Sequence, residues 1–199
     1  MTVAVTNEIT TAPATPERWD DVVAILSRDG DRGCWCQYYR MSSGDYARRD
    51  LGAGERALRE QISGSDIAPG IVAYVDGEPA GWLGLWPRSR MQRLVRSRTI
   101  PQVDDLDPWS LVCFNVRVGF RRKGVARALL DGAIRYAREM GAPALEAYPV
   151  EPGGRRVDTA FGYVGFVPLF EAAGFRRVVE TASKSDHRPR ILMRLDLRG

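Results

Sequence analysis

Three cations, Arg121, Arg122 and Lys123, stand directly before Gly124 in the segment FRRKGVARA. The segment opens a stretch with helical spacing, so these cations lie where the first turn of a helix presents free backbone N–H groups. Cations at this end oppose the helix dipole, at a cost of roughly 0.3–1 kcal/mol for each exposed charge. A bound anion reverses that effect, and Gly124 allows close approach to the backbone. These residue types favour phosphate binding; the alternative is an exposed turn with solvated arginines.

Two common phosphate-binding loops do not fit this turn. A Walker-type loop has Ser or Thr after its final Gly-Lys, whereas Val125 follows Gly124 here. A dinucleotide-binding fingerprint has three glycines at a fixed spacing, and that spacing is missing. No Ser, Thr, Asp or Asn stands at the cap position of the helix either. The amides of its first turn are therefore predicted to face whatever fills the space before them.

A second candidate group lies in the segment GCWCQYYR, which contains Cys34 and Cys36. A Cys-x-Cys pair supplies too few ligands for zinc, and no second pair or suitable histidine follows. The chain has one histidine, His187, which we interpret as a solvated residue of a polar turn. A Ser-His-Asp or Cys-His nucleophile would depend on that ring alone. The sequence therefore predicts no metal site and disfavours a histidine-activated nucleophile.

The elements around the basic turn predict a strand–helix–strand unit. The segment WSLVCFNVRV is apolar on both faces as far as Phe114, as in the central strand of a covered sheet. The helix after the turn runs to Met140, with an apolar stripe opposite a face of alternating charges, and Gly141 and Pro143 end it. ALEAYPV is the next strand. This unit is predicted to hold the basic turn at the centre of the sheet.

Further elements lie on both sides of this unit. Helices are predicted in TPERWDDVVAILS and GERALREQI, and IVAYVDGEPAGWLGLW has the pattern of a hairpin with its turn at Asp76-Gly77. Residues 87–108 form a long connection whose arginine series is predicted to be a solvated helical flap. LFEAAGF predicts a short late helix, and FRRVVETAS and RPRILMRLDL a final strand pair. The predicted class is α/β (α+β), with a mixed, largely antiparallel central sheet flanked by helices.

Length and composition are those of one ordinary domain. The chain has 199 residues, 44% hydrophobic and 27% charged, and a formal net charge of +4. A single domain over residues 1–199 is expected, with residues 1–14 forming a mobile start that holds at most a short strand. The mild positive charge suits an anionic ligand and falls short of the basic stripe of a DNA-binding protein. No signal peptide or membrane-spanning run is evident, so a cytoplasmic protein with reduced thiols is expected.

Residues 109–177 resemble the acetyl-CoA-binding core of the GNAT superfamily of N-acetyltransferases. The turn of that family has the pattern Arg/Gln-x-x-Gly-x-Gly/Ala, and Arg121, Gly124 and Ala126 stand at its positions. The preceding strand of the family is similar to LVCFNVRV, the next strand to LEAYPV, and the late helix with its Gly-Phe to LFEAAGF. The resemblance implies a GNAT-like acyl-CoA N-acyltransferase fold. Before residue 109 the resemblance is one of architecture only.

The resemblance implies that acetyl-CoA is the co-substrate and that the backbone around the turn holds it. The pantetheine arm would pair with the backbone of Val116 and Val118 like an added strand. The pyrophosphate would bind the amides from Arg122 to Ala126, and Arg127 would reach the nucleotide end or remain a surface residue. The predicted cofactor-binding residues are Val116, Arg117, Val118, Arg121, Arg122, Lys123, Gly124, Val125, Ala126 and Arg127.

The implied reaction is direct attack of an amine on the thioester, which requires that a proton first leave an amine with a pKa of about 10. Glu146 and Tyr148, on the strand beside the thioester, are the predicted candidates for removing that proton, directly or through a water chain. Their side chains share a face because they alternate with Ala147. The family often has a tyrosine in the late helix that protonates the leaving thiolate, and Phe170 stands there instead. Tyr163 is the predicted substitute. The alternative to a catalytic role is that Glu146 is a surface residue and that Tyr148 lies at the rim of the site.

Trp35 and Tyr38 are predicted to form an aromatic wall for the acceptor, because this part of the chain often shapes the acceptor pocket in the resembled family. Core packing around a loop is the alternative. The segment EPGGRRVDTAFG is expected to line the acceptor site or cover the cofactor.

The predicted function is transfer of an acetyl group from acetyl-CoA to a primary amine of a small molecule or a protein. A non-catalytic acyl-CoA-binding regulatory module is one alternative, since Phe170 replaces the usual tyrosine. A nucleic-acid-binding domain is another, and it predicts strongly salt-dependent retention on DNA. Neither nucleic acid nor a membrane is expected as a partner, and a homodimer is compatible with the sequence.

Overall fold

The computed structural model describes residues 8–27, 33–151, 162–185 and 187–198. The strands are β1 (Ile9–Pro13), β2 (Gly70–Val75), β3 (Glu78–Pro87), β4 (Trp109–Val116), β5 (Ala144–Ala147), β6 (Arg176–Ser185) and β7 (Arg188–Asp196). The helices are α1 (Trp19–Leu26), α2 (Ser43–Arg48), α3 (Ala53–Gly64), α4 (Gln92–Val95), α5 (Val125–Glu139) and α6 (Val167–Glu171).

The strands form one seven-stranded sheet with the order β1-β2-β3-β4-β5-β7-β6. Its neighbouring strands are antiparallel except for β4 and β5, which are parallel and joined through α5. The predicted strand–helix–strand unit and the mixed, largely antiparallel sheet are therefore confirmed. Parallel neighbours need a crossover helix, and that requirement places α5 across the middle of the sheet.

Local turn chemistry explains the hairpin formed by β2 and β3. Asp76 and Gly77 both have positive φ angles, of 51° and 83°. A two-residue loop with this geometry matches the twist of the strands it joins. The short strand expected near the start of the chain is β1, Ile9–Pro13, which pairs with β2 in antiparallel register at the edge of the sheet. Residues 1–7 lie outside the described residues.

Two cores cover the two faces of the sheet. The apolar stripe of α5 packs on one face and includes the fully buried Leu129 and Leu130. On the other face α1 and α3 bury Val22 and Leu58 against Trp82. A sheet covered on both faces needs apolar residues in consecutive positions of its central strand. That need explains the unbroken apolar run in the first half of β4.

One extra residue interrupts the ladder between β3 and β4. Gly84 pairs with Cys113 and Leu85 pairs with Leu111, so Val112 has no partner on β3. Val112 and Cys113 then both lie toward the core formed with α1 and α3. This arrangement is a β-bulge, which bends a strand and increases its twist.

Beyond the bulge, β4 and β5 separate. Their parallel pairing ends at Leu111 and Ala147, whereas β4 continues to Val116. The side of β4 that faces away from β3 therefore has no strand partner over its second half, within the part of the chain that the structure describes. The gap between the strands opens toward the start of α5.

The connection between β3 and β4 is less solvated than the predicted flap. Arg88 lies in a short 3-10 helix and is only 4% exposed. Met91 and Leu94, which follow it in the chain, are also buried. Val95 on α4 is 58% exposed. The connection contains the short helix α4, but the prediction of a solvated flap was wrong, because the connection packs against the sheet through the buried partners of Arg88.

No helix among the described residues is both long enough and apolar enough to cross a bilayer.

Candidate acetyl-transfer site

A cavity of about 880 Å³ extends from the start of α5 along the second half of β4. We call it the main cavity. The segment before and within α6 forms another wall, and residues of the chain between α1 and α2 form the far end. Its lining residues are Leu26, Gly33, Cys34, Trp35, Cys36, Tyr38, Tyr46, Cys113, Phe114, Asn115, Val116, Phe120, Arg121, Arg122, Gly124, Val125, Ala126, Arg127, Tyr163, Gly165, Phe166 and Leu169.

The basic turn presents its backbone to the main cavity. Gly124 is the N-cap of α5, has a φ of 87°, and no side chain caps the helix. The backbone N–H groups from Arg122 to Arg127 have no hydrogen-bond acceptor among the described residues. A Cβ atom at Gly124 would have Ile9 Cδ1 at 3.7 Å as its nearest neighbour, so the space in front of the turn is open. Free amides at an uncapped helix N-terminus bind anions, and phosphate in particular.

Most of the predicted cofactor-binding residues lie on this wall. Arg121, Arg122 and the residues from Gly124 to Arg127 line the main cavity, together with Val116 at the end of β4. Arg127 also bridges two elements, since its Nε donates to Asp131 at 2.9 Å and its Nη1 to the carbonyl of Ala172 at 3.0 Å. These bonds hold Arg127 between α5 and the end of α6, at the rim of the cavity.

The structure differs from the prediction at Val118, Arg117 and Lys123, none of which lines the main cavity. Val118 begins a 3-10 helix rather than extending β4, and it is 78% exposed. Its carbonyl accepts from Arg121 N at 3.4 Å, so that carbonyl is already used within the turn. Arg117 donates to the carbonyl of Pro79 at 2.5 Å, which turns it toward β3.

Glu146 lies within a buried ion-pair network rather than on a cavity wall. It is 1% exposed and accepts from Arg194 Nη2 at 2.6 Å and from Arg88 Nη1 at 3.4 Å. Arg194 also pairs with Asp104, whose pKa is lowered mainly by that hydrogen bond. Glu146 is thus ion-paired with two arginines in the core, and it does not line the main cavity.

Tyr148 belongs to the same network. It is fully buried, and its hydroxyl accepts from Arg88 Nη1 at 2.7 Å, donates to Glu146 at 3.1 Å and lies 2.8 Å from Ser110 Oγ. Burial raises the pKa of Tyr148, with the charge of Glu146 as the next cause. The predicted shared face of Glu146 and Tyr148 is present. That face points into the core beneath the connection between β3 and β4.

Tyr163 does line the main cavity. It lies in a short 3-10 helix before α6, and its hydroxyl accepts from Arg190 Nη2 at 2.9 Å. Arg190 is 5% exposed and also donates to the hydroxyl of Tyr39. Burial raises the pKa of Tyr163, so the hydroxyl keeps its proton at neutral pH. A protonated hydroxyl on the cavity wall has the state required of a proton donor.

Phe170, at the position of the family's usual tyrosine, lies in the core. It is fully buried and packs edge-to-face against Phe114 and Phe175 at centroid distances of 5.9 and 5.2 Å. A hydroxyl there would need a buried partner. Of the described tyrosines that line the cavity, Tyr163 precedes α6 directly.

The far end of the main cavity is aromatic. Trp35 and Tyr38 line it together with Tyr46, which packs edge-to-face on Tyr38 at 5.5 Å. Trp35 is 8% exposed and stacks on Trp19 at 5.9 Å, so it is part of the core as well as of the wall. Arg93 lies over the Tyr38 ring at 4.1 Å.

The cysteines also line the main cavity, which the sequence did not indicate. Cys36, in the chain between α1 and α2, lies close to Cys113, which stands at the bulge of β4. All three cysteines are free thiols. A hydrogen bond from Cys113 lowers the pKa of Cys36 to about 6, and Arg40 also favours its thiolate. The same pairing raises the pKa of Cys113. The bulge that aims Cys113 at the cavity leaves no simple mark in the sequence.

No group of three or more His, Cys, Asp or Glu side chains within the described ranges could hold a metal ion. The segment EPGGRRVDTAFG, predicted to line the acceptor site or cover the cofactor, falls almost wholly on residues 152–161, outside the described residues.

With this geometry in view, the sequence similarity identifies the class of the protein. The sequence profile of the acetyltransferase (GNAT) family matches residues 35–175, well over half of the chain. The chain therefore belongs to the GNAT family of acetyltransferases and is an N-acetyltransferase. Enzymes of this family use acetyl-CoA and act on amine acceptors. No curated protein matches the chain in sequence.

Several solved structures share the fold. An acetyltransferase superposes with a TM-score of 0.58 at 16% identity, covering 95% of this chain and 100% of that one. A GNAT-family acetyltransferase from Streptococcus pneumoniae gives a TM-score of 0.54 at 19% identity, covering 95% and 99%. The NatC complex bound to Gag peptide and CoA gives 0.54 at 12% identity, covering 96% and 99%. At these identities the similarity establishes the fold.

Proposed function

We propose that the main cavity binds acetyl-CoA and that the protein transfers its acetyl group directly to a primary amine. One observation carries this proposal: amides at the start of α5, which have no acceptor in the described part of the chain, open into the same cavity as the gap between β4 and β5. A coenzyme needs both features at once, a site for its pyrophosphate and a channel for its pantetheine arm. CoA in the NatC structure, which has the same fold, supports this assignment.

The pyrophosphate is assigned to the amides from Arg122 to Arg127. Apart from Lys123, the residues that carry these amides line the cavity, as does Arg121, and the positive end of the helix dipole adds to their field. Arg122 has a positive φ of 62°, which is uncommon for a residue with a side chain. We infer that this conformation turns successive amides toward one anion, as in other backbone anion sites.

The pantetheine arm is assigned to the free side of β4 beyond the bulge. An extended arm can accept and donate hydrogen bonds there as an added strand would, since the second half of β4 has no partner on that side within the described residues. Asn115 and Val116 line this part of the cavity. This assignment shifts the contact from Val118 to residues nearer the bulge and places the thioester beside the Cys113 end of the gap.

In the proposed reaction the amine nitrogen attacks the thioester carbonyl, the new C–N bond forms, and the C–S bond breaks. The attacking amine must first lose a proton, and the described cavity wall carries no carboxylate. We assign that proton to solvent, because neither Glu146 nor Tyr148 borders the cavity. Tyr163 donates a proton to the departing thiolate, whose pKa of about 8.5 makes it a tolerable leaving group. Glu146 and Tyr148 are assigned to positioning β5.

Gly124→Glu tests the coenzyme site, with Gly124→Ala as the matched control. Both variants carry a Cβ at a positive φ, at a backbone cost of about 1–2 kcal/mol, and only glutamate adds a negative charge facing the amides. We expect the glutamate variant to lose acetyl-CoA binding by calorimetry while its circular dichroism remains native. The alanine variant should bind within several-fold of wild type.

A screen of thiol release with acetyl-CoA and a panel of amines tests the reaction. Turnover in the wild type and none in Gly124→Glu is the expected result. Binding without turnover of any amine would favour the acyl-CoA-binding regulatory module instead. Unchanged coenzyme affinity in Gly124→Glu would remove the turn from the site.

A further inference from the structure

A second cavity lies directly beside the acceptor end of the main cavity. Its volume is about 510 Å³, within the range of small-molecule sites. Its walls come from the chain before α2, from α4 and the residues after it, and from the hairpin of β6 and β7. We call it the basic cavity. Its charged lining residues among those described are Arg93, Arg96, Arg98, Lys184 and Arg190.

No carboxylate among the described residues balances these cations. Arginines elsewhere in the described chain, such as Arg127, Arg177 and Arg194, are paired with carboxylates. None of the cations of the basic cavity forms an ion pair with a described carboxylate, and no described Asp or Glu lines the cavity. A concave wall of a single sign concentrates the opposite charge in front of it.

The carboxylate of Asp45 is close enough to Arg96 to feel its charge, but its hydrogen bonds are to Ser42 and Arg48. A hydrogen bond from Ser42 is the main cause of its lowered pKa, and Arg48 and then Arg96 contribute through their charges. Its oxygens contact Ser42 Oγ at 2.6 Å and Arg48 Nη2 at 3.2 Å. Asp45 does not line the basic cavity.

Two guanidinium nitrogens of this cavity are buried without a hydrogen-bond acceptor, Arg93 Nε and Arg190 Nε. Arg190 as a whole is only 5% exposed, and burial lowers its pKa. A buried N–H donor of a charged group without an acceptor costs free energy. An anionic ligand would offset that cost, since guanidinium groups bind carboxylate and phosphate oxygens strongly.

The basic cavity and the main cavity share a wall. Tyr38 lines both, and Arg190, which lines the basic cavity, donates to Tyr163, which lines the main cavity. A ligand held by its anionic group in the basic cavity therefore lies next to the aromatic end of the main cavity. There its other end can reach past Tyr38 toward the thioester.

We infer that the acceptor is a small amine that carries a carboxylate or phosphate group, which the basic cavity binds while the amine enters the main cavity. This inference rests on the proposed acetyl transfer and names the class of its acceptor. The anion sets the orientation of the acceptor, and the absence of described carboxylates on either wall disfavours polyamines.

A series of ω-amino carboxylates, ω-amino alkyl phosphates, neutral amino alcohols and diamines, each from three to eight carbons, tests this inference. We expect kcat/KM of the best anionic acceptor to exceed that of the amino alcohol of equal length by tenfold or more. Diamines should be the poorest acceptors. The carboxylate and phosphate arms show which anion the cavity prefers.

Arg93→Met and Arg98→Met connect that preference to the basic cavity. Each should reduce the ratio of anionic to neutral kcat/KM by about tenfold, in keeping with the loss of one charge-assisted hydrogen bond. Arg93→Lys keeps the charge and should retain part of the preference. Arg138→Met removes an exposed charge at the far end of α5 and serves as the matched control. Its ratio should equal that of wild type.

A binding measurement keeps the test independent of turnover. Calorimetry with 5-acetamidopentanoate and with the neutral 5-acetamidopentan-1-ol compares two product-like ligands of equal chain length, one ending in a carboxylate and the other in a hydroxyl group. We expect the anion to bind at least tenfold more tightly in wild type and less so in Arg93→Met.

Equal kcat/KM for neutral and anionic amines at every chain length, or a preference that Arg93→Met and Arg98→Met leave intact, would overturn the inference while acetyl transfer still stands. If the wild-type protein neither bound acetyl-CoA nor acetylated any amine, that different result would reject the proposed function itself.

Discussion

Tyr163 is the residue on which the proposed proton donation depends. Its hydroxyl borders the main cavity, accepts from Arg190 and has a raised pKa because it is largely buried. A raised pKa keeps the proton on the hydroxyl below, at and well above neutral pH. The donor is therefore present throughout the range in which the amine becomes deprotonated and attacks.

We predict that Tyr163→Phe lowers kcat by about tenfold, at the low end of general acid effects because the thiolate is already a fair leaving group. The defect should be constant from pH 7 to pH 9, since Tyr163 does not titrate in that range. It should shrink with an acetyl thioester of an acidic aryl thiol, which needs less protonation. Tyr74→Phe, which removes a hydroxyl bonded to Asp21 on another part of the sheet, is the control. A defect of equal size with every thioester would point to a structural role.

The position of Glu146 on β5 could be predicted from the sequence, but its surroundings could not. Alternation on β5 predicted correctly that Glu146 and Tyr148 share a face, but alternation carries no information on what covers that face. The answer lies in Arg88 and Arg194, which come from distant parts of the chain and meet Glu146 only in the fold. The free amides near Gly124, in contrast, follow from a local pattern, and the sequence was sufficient to predict them.

At the scale of elements, the buried ion-pair network joins β5, β7 and the connection between β3 and β4. Arg88 Nη2 also donates to the carbonyls of Leu94 and Ile100, at 3.4 and 3.0 Å, so it ties the α4 region down. Removing one partner from a buried network leaves the others without compensation, which costs more than an exposed ion pair contributes.

We predict that Glu146→Gln lowers the free energy of unfolding by about 3 kcal/mol, measured by urea denaturation. Glu171→Gln breaks a half-exposed pair with Arg177 and should cost less than about 1 kcal/mol. If instead Glu146→Gln kept its stability and lost activity by a hundredfold with a changed pH profile, Glu146 would be a catalytic base after all.

The elements themselves were largely predictable, because their signals are local. The hairpin at Asp76-Gly77, the crossover through α5 and the late helix ending before Gly174 all follow from periodicity, turn residues and caps. α2 was not predicted, because its six residues carry little periodicity and its cap at Ser42 stands in an irregular aromatic segment. The packed state of the connection after β3 depends on Arg88 finding buried partners, which no local pattern indicates.

At the scale of the whole molecule, two cavities with different chemistry meet at Tyr38. One combines amides, a strand edge and aromatic rings, and the other collects cations. This arrangement separates the site proposed for the coenzyme phosphates, at the start of α5, from the site proposed for the anion of the acceptor. The net charge of +4 is consistent with a protein that binds negative groups at two places.

Coenzyme binding should therefore stabilise the whole domain. At a free concentration of one hundred times Kd, acetyl-CoA is expected to raise the free energy of unfolding by about 2.7 kcal/mol. Acetyl-pantetheine, which lacks the pyrophosphate, should give no measurable increase at the same concentration. Thermal unfolding at low and high salt checks both points, since screening weakens the attraction of exposed arginines for the phosphates. Equal stabilisation by both compounds would contradict the assignment of the basic turn.

Val112, the unpaired residue of β4, has a consequence for the evolution and engineering of the chain. Because it and Cys113 lie toward the same core, its deletion would restore simple alternation without reversing the orientation of any later side chain. We expect the shortened strand to pair with β5 beyond Leu111, which would close the gap between the two strands. Deletion of one residue, with every later side chain kept on its own face, is thus expected to remove the space that we assign to the pantetheine arm.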